Sequence, residues 1–177
     1  MDENAPMFFL RGAPGSGKST MAERIRGCGG ALIFETDNFF VDSVNRHDYH
    51  FDPKLLGIAH NWNQGEVIRA CRDCPDVPVI VANTFAHADE LWPYCEIAKR
   101  FGRKVFLFRL LTEHDNVHGV PDETVAKKRK NIRSLTAKRV LESAVNLGYP
   151  TVYANDVHTD DEAADLITMA HFKYFQK

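Results

Sequence analysis

Residues 12–19 read Gly12-Ala13-Pro14-Gly15-Ser16-Gly17-Lys18-Ser19, a complete G-x-x-x-x-G-K-[ST] spacing. The apolar run Met7-Phe8-Phe9-Leu10 stands just before it, and Thr20-Met21-Ala22-Glu23-Arg24-Ile25-Arg26 follows with helical character. A buried strand that turns through glycines into a helix points backbone N–H groups inward as an anion-binding nest. The helix N-terminus adds positive dipole to the same point. The expected phosphate cradle is therefore Gly12, Ala13, Pro14, Gly15, Ser16, Gly17, Lys18, Ser19 and Thr20. In such a loop the lysine, here Lys18, reaches the β- and γ-phosphates of ATP, and the Ser19 hydroxyl ligates Mg²⁺.

The rest of the chain extends this pattern. Short apolar runs at 7–11, 31–35, 78–82, 104–111 and 151–154 read as strands. Helical patterns at 18–26, 53–74, 88–101, 122–147 and 160–175 alternate with them. Nearly continuous apolar strands separated by helices predict an α/β fold, a three-layer sandwich with a parallel sheet of about five strands. Ligands in such sheets bind at the C-terminal strand ends, so the chemistry is expected just after each strand. Two long connections lie there, Asn38–Asp52 and Thr112–Pro121. Long connections of this kind are commonly functional.

A length of 177 residues suits a single domain, 1–177. The net charge of −2 is no global nucleic-acid signature, although a local basic groove remains compatible with it. The acidic start Met1-Asp2-Glu3 and the four-residue apolar run after it do not resemble a secretion signal. No run approaches a membrane span, so a cytoplasmic protein is expected. Cys71-Arg72-Asp73-Cys74 has no second ligand pair at metal spacing, so free thiols are expected rather than zinc. The eight histidines show no ligand spacing either.

Four clusters can carry chemistry. Glu35-Thr36-Asp37 follows the second strand, and Asp37 is the better general base because Glu35 is expected within the strand. A carboxylate there can take the proton of an acceptor hydroxyl as its oxygen attacks the γ-phosphate. The alternative is a turn cap or a solvated side chain. After the third strand stands Ala82-Asn83-Thr84, where many phosphate-loop proteins place an aspartate for Mg²⁺. Metal binding then rests on Ser19, the ATP phosphates and Asp37, while Asn83 or Thr84 either bonds a metal-bound water or caps a turn. The third cluster is the basic stretch 125–133, in which Lys127, Arg129 or Arg133 can stabilise transition-state charge from a lid over residues 112–135. A solvated basic face and a phosphate-tracking patch for nucleic acid are the other two readings. Fourth, Trp62 within His60-Asn61-Trp62-Asn63-Gln64 either packs in the core or offers a base a stacking face.

In order, Leu10-Arg11-Gly12 with its loop, 34–40, Tyr49-His50-Phe51-Asp52-Pro53, 59–64, 79–84 and Asn116-Val117-His118-Gly119-Val120-Pro121 form a recognisable set. With them the chain resembles the small P-loop kinases of the polynucleotide-kinase-like group. The resemblance implies that Asp37 is the general base, that Lys18 and Ser19 hold ATP and Mg²⁺, and that the segment around His118-Gly119 and the basic helix after it belong to a mobile lid. It implies a DNA or RNA acceptor: a 5′-hydroxyl end, or the hydroxymethyl group of 5-hydroxymethyluracil in phage DNA. The chain departs from the group at Ala82, where relatives often carry Asp, and at Asp115, where they often carry Arg; Lys127 or Arg129 are the candidates to replace that arginine.

Two competing functions follow from the same residues. One is a kinase of a small metabolite or free nucleoside, favoured by the modest net charge. The other is a nucleotide-dependent binding module without phosphotransfer, favoured by the absence of an acidic residue at Ala82.

Overall fold

The computed structural model describes residues 4–41, 49–114 and 120–166. Five strands form one sheet in the order β2-β3-β1-β4-β5, every neighbouring pair parallel. They are β1 (Met7–Gly12), β2 (Leu32–Phe34), β3 (Val79–Asn83), β4 (Val105–Leu110) and β5 (Thr151–Val157). The helices are α1 (Lys18–Gly27), α2 (Leu56–Asp73), α3 (Trp92–Arg100), α4 (Asp122–Ser134) and α5 (Ala137–Asn146). Residues 160–166 are also helical. Short 3₁₀ turns at Thr36–Phe40, Pro53–Leu55 and Ala88–Leu91 stand before or between these elements. This is the three-layer α/β architecture that the alternation predicts.

β1 is central and buried along its whole length, pairing Met7 with Val79 on one side and Val105 on the other. Period-two alternation sends its side chains to two cores. Met7 and Phe9 join Val79, Val81, Val105 and Leu107 under α2, α3 and α5, against Val67, Tyr94, Ala98 and Val140. Phe8 and Leu10 join Ile80, Ala82, Phe106 and Phe108 under α1, against Met21, Ala22 and Ile25, with Ala163 and Leu166 from the last helical segment. A strand buried on both faces needs apolar residues at every position, which explains the unbroken run Met7–Leu10. At the other end of the sheet Arg103, fully buried, donates to the carbonyls of Ala5 and Val77, both at 2.9 Å, and of Cys74 at 2.8 Å. It ties the strand starts to the end of α2.

Three expectations change. First, the single helix 122–147 is two helices, α4 and α5, with Leu135 extended between them. Thr136 caps α5 by accepting the Arg139 amide at 3.3 Å. The break is held from below. Arg11 donates to Leu135 O at 2.9 Å, and Arg109 donates to Ile132 O at 2.9 Å and Leu135 O at 3.0 Å. Two buried guanidiniums thus take the carbonyl of Ile132 in the last turn of α4 and that of Leu135 in the break, where a helix end leaves carbonyls without intrahelical partners. Asp156 pairs with Arg109 at 2.6 and 2.8 Å and accepts the first amide of α5, Ala137 N, at 3.0 Å. Second, β2 stops at Phe34, so Glu35 lies beyond the strand in extended backbone before the 3₁₀ turn. Third, β5 runs on to Val157.

The four cysteines are free thiols, with Cys71 buried against Met7. Burial pushes the Cys71 thiol pKa up, partly offset by Arg103. Among the described residues no helix is long and apolar enough to cross a membrane. The expected helix beyond residue 166, part of the 38–52 connection and the Asp115–Gly119 segment lie outside the described residues.

Candidate active site

The loop between β1 and α1 is built by steric necessity. A Cβ on Gly12 would lie 2.2 Å from Ser16 Oγ and 3.1 Å from the Leu110 carbonyl oxygen. Gly15 and Gly17 hold φ of 75° and 76°, the left-handed region that favours glycine. Gly17 is the N-cap of α1, with no side-chain cap and no acidic residue in the first turn. The helix therefore presents its first N–H groups to an external anion. Behind the loop, Thr112 Oγ1 donates to Ser16 O and the His114 amide donates to Gly15 O, both at 2.7 Å. The segment after β4 thus braces the loop from outside.

Lys18 Nζ donates to the Ala13 carbonyl at 3.0 Å, back across its own loop. Desolvation lowers its pKa from 10.5 to about 8. Glu35 and then Asp37 oppose that shift, and Lys128 on α4 adds to it. Three segments of the chain thus act on one ammonium group: the loop, the stretch after β2 with its two carboxylates, and the basic helix. A desolvated ammonium among inward amides is suited to a polyanion, which restores the charge interactions lost on burial. Ser16 Oγ is buried and without a hydrogen-bond partner. Ser19 and Thr20 are exposed at the start of α1. A cleft of about 120 Å³ adjoins them, bounded by Gly17, Thr20, Arg24, Thr112, His114 and Asp160.

These residues fit a nucleotide with Mg²⁺. Hydroxyl and carboxylate oxygens are the hard donors that Mg²⁺ takes, usually one or two from protein with the rest from phosphates and water. Ser19 and the carboxylates of Asp37 and Glu35 are the side chains of this kind that would supply that set. Among the described residues no three His, Cys, Asp or Glu side chains gather as metal ligands.

Asp37 is exposed within the 3₁₀ turn Thr36–Phe40. The Tyr49 hydroxyl hydrogen-bonds with it; partial burial first, and then the Asp37 charge, raise the phenol pKa above its ordinary value. The turn rests on a buried polar cluster. Asn83 Oδ1 accepts the Thr36 amide at 2.8 Å. Asn63 Nδ2 donates to Tyr94 Oη at 2.9 Å and to Thr36 Oγ1 at 3.4 Å. His60 Nδ1 meets Thr36 Oγ1 at 3.4 Å. Burial pushes the Tyr94 phenol up, with its hydrogen bonds to Asn63, Thr36 and Asn83 opposing. Asn83 is thus a clamp beneath the Asp37 turn, a role that its position at a strand end does not reveal.

On α4, Lys127 is exposed, whereas Lys128 and Arg129 are half-buried. Arg129 Nη1 lies 3.3 Å from Glu113 Oε2, and Arg133 Nη2 lies 2.6 Å from Glu113 Oε1. Lys128, Glu113 and Glu35 are members of this site that sequence reasoning passed over. In sequence Lys128 is one base among several, and the apolar run before Glu35 reads as a strand that includes it. Trp62 sits at the rim, about a third exposed, with its ring 5.8 Å from that of Phe39.

Human NEDD4-binding protein 2 is 30% identical over 153 residues, which cover 78% of this chain and 8% of that protein. The chain therefore spans less than a tenth of the length of that relative. A putative kinase from Chloroflexus aurantiacus superposes with a TM-score of 0.59 at 10% identity, over 97% of both chains. Shikimate kinase from Acinetobacter baumannii superposes with a TM-score of 0.51 at 17% identity, over 94% of this chain and 91% of that one. These structures share the fold of this chain. Residues 7–150 match the AAA_33 family, described as an AAA domain. With the Gly12–Ser19 loop at the sheet's C-terminal edge and most of its length matched, this chain belongs to the AAA_33 family.

Proposed function

We propose that this chain is an ATP-dependent kinase that transfers the γ-phosphate to a hydroxyl of a nucleic acid. The observation that carries the reading is the arrangement around Lys18. Glu35 and Asp37 after β2 and Lys128 on α4 all act on the charge of this ammonium, which belongs to the first residue of a helix without a side-chain cap. The loop and Lys18 provide the donor side, and the carboxylates provide a base for the acceptor. The basic helix provides charge both for the transferring phosphoryl group and for a polyanionic acceptor.

The reaction follows from these positions. Asp37 takes the proton of the acceptor hydroxyl. The acceptor oxygen forms a bond to the γ-phosphorus as the bond from that phosphorus to the β–γ bridging oxygen breaks, and ADP leaves. Lys18, the loop amides and the α1 dipole stabilise the charge gathering on the phosphate oxygens. Lys128 and Arg129 approach the same charge from α4, with Lys127 on the outer face. Mg²⁺, held by Ser19, Asp37 and the phosphates, would neutralise charge on the β- and γ-oxygens. The cleft beside α1 takes the nucleoside end of ATP.

The acceptor is a 5′-hydroxyl end of DNA or RNA, or the hydroxymethyl group of 5-hydroxymethyluracil. Both are primary alcohols carried on a polyanion and need the same base. Incubation with labelled ATP and several nucleic acids, followed by digestion and mass identification of the labelled nucleoside, tests the reading. Labelling is expected on nucleic acid, abolished in Asp37→Ala and steeply inhibited by salt. Comparison with Glu35→Gln assigns the base between the two carboxylates. Label found only on free nucleosides or small alcohols would replace the reading with a metabolite kinase. ATP binding without transfer to any acceptor would replace it with a binding module.

A further inference from the structure

Glu113 follows β4 in a segment tied to the phosphate loop on both sides of it. Thr112 Oγ1 donates to Ser16 O and the His114 amide donates to Gly15 O, both at 2.7 Å. These two bonds hold the backbone of Glu113 against the loop. Its carboxylate reaches α4, where Oε2 lies 3.3 Å from Arg129 Nη1 and Oε1 lies 2.6 Å from Arg133 Nη2. The two arginines are four positions apart, so they stand one turn from each other on one helix face. One carboxylate thus divides its oxygens between two guanidiniums. Guanidiniums take phosphate oxygens by the same charge-assisted bonds.

The two arginines are not equivalent. Both border a narrow cleft shared with Ala13 and Ser16 of the loop. The Arg129 side chain is the more enclosed, 30% exposed against 60% for Arg133. They also differ in distance from a fixed point. Arg109 holds the Ile132 carbonyl, and Arg11 and Arg109 hold that of Leu135, so the end of α4 is anchored. Arg133 lies within that anchor. Arg129 lies one turn before it, about 6 Å farther along the axis at 1.5 Å per residue. A small rotation of α4 about its held end therefore displaces Arg129 and leaves Arg133 on Glu113. The carboxylate can release one arginine without losing its other partner.

We infer that Glu113 is a positioning residue that holds Arg129 beside the phosphate loop and gives it up to the phosphates of ATP, while Arg133 keeps the carboxylate paired. This rests on the ATP-binding half of the reading above and deepens it by naming the side chain that competes with nucleotide for an arginine of α4. A triphosphate carries more charge than one carboxylate, so the exchange favours the phosphates. The Glu113 side chain is 46% exposed, and an ion pair open to solvent is weak enough to be given up.

Calorimetric titration of the whole chain with ATP tests the handover. Glu113→Gln keeps the shape of the side chain and removes its charge. ATP is expected to bind roughly two- to fivefold tighter, the worth of one exposed ion pair. A carboxylate that only braced α4 would give no tightening. Removing a negative charge near the loop also tightens ATP by relief of repulsion, so the same change is made beside Arg129→Gln. There the gain should disappear, whereas beside Arg133→Gln it should remain. Glu113→Asp keeps the charge and should return the affinity toward the native value. An unchanged or weaker affinity in Glu113→Gln, or a gain that persists without Arg129, would overturn the handover and leave the kinase reading standing. The full cycle with no acceptor labelled would support the handover and overturn the kinase reading. A chain that binds no ATP would overturn both.

Discussion

Asn83 Oδ1 accepts the backbone amide of Thr36 at 2.8 Å, joining the end of β3 to the turn that carries Asp37. The two residues are 47 positions apart in sequence. The bond matters because it fixes the backbone immediately before an exposed carboxylate whose placement decides whether it reaches an acceptor proton. Asn83→Ala leaves that amide buried without its partner, at a cost of about 1–3 kcal/mol. The expected outcome is a lower urea midpoint together with a larger fall in kcat than in KM for ATP. Denaturation and steady-state kinetics on the same preparation check it. An unchanged kcat at lowered stability would make the clamp purely structural.

Lys18 gives a pH dependence of defined sign. Its pKa in the nucleotide-free protein is about 8, lowered mainly by desolvation. Bound phosphates raise it again, so binding takes up a proton above that pH. ATP affinity should therefore be flat below about pH 8 and fall above it, by at most about tenfold per pH unit for one linked proton. For folding itself, the unfolded lysine holds its proton up to about 10.5 while the folded one releases it near 8, so stability rises with pH between those values. Lys18→Arg stays protonated throughout and should flatten the affinity profile. Calorimetric titration of ATP from pH 7 to about pH 9.5 measures it.

Gly12→Ala tests the loop by shape alone. The added methyl meets Ser16 Oγ at 2.2 Å and the Leu110 carbonyl at 3.1 Å. Ser16 is buried and its carbonyl is already held by Thr112, so the loop itself must shift. Overpacking of this kind costs about 1–3 kcal/mol. Loss of ATP binding is expected with the secondary structure retained, read by titration beside circular dichroism.

Arg11 and Arg109 are register partners on β1 and β4, and both are buried. Burial and then the neighbouring Arg109 charge lower the Arg11 pKa to about 10, while Glu90 and Asp156 oppose. Asp156→Ala removes a bidentate partner of Arg109 and the acceptor of the Ala137 amide. A broken buried pair costs about 3–5 kcal/mol, and the lower end applies because the Asp156 side chain is 24% exposed. A drop in melting temperature is the expected result. Since both arginines also hold the end of α4, proteolysis between α4 and α5 should quicken in the same variant.

The sequence by itself determined the parts that are local. Eight consecutive positions specify the phosphate loop, because the turn, the left-handed glycines and the helix start all fall within them. Unbroken apolar runs specify the buried parallel strands, since a strand covered on both faces tolerates no polar alternation. The position of Asp37 just past β2 was legible for the same reason. Tertiary structure alone decided what depends on distant partners. Glu35 leaves β2 early because its strand pairs with β3 only through Phe34. Helical periodicity runs across residues 122–147, but Arg11, 124 positions from Leu135, and Arg109 take the carbonyls at the break. Lys128 faces the site while Lys127 faces solvent because one face of α4 is turned inward, and its own periodicity leaves open which of its basic residues that face carries. Hydrogen bonds across the sheet and the rotation of a helix over it are long-range properties. Residue patterns within a single element carry no record of them.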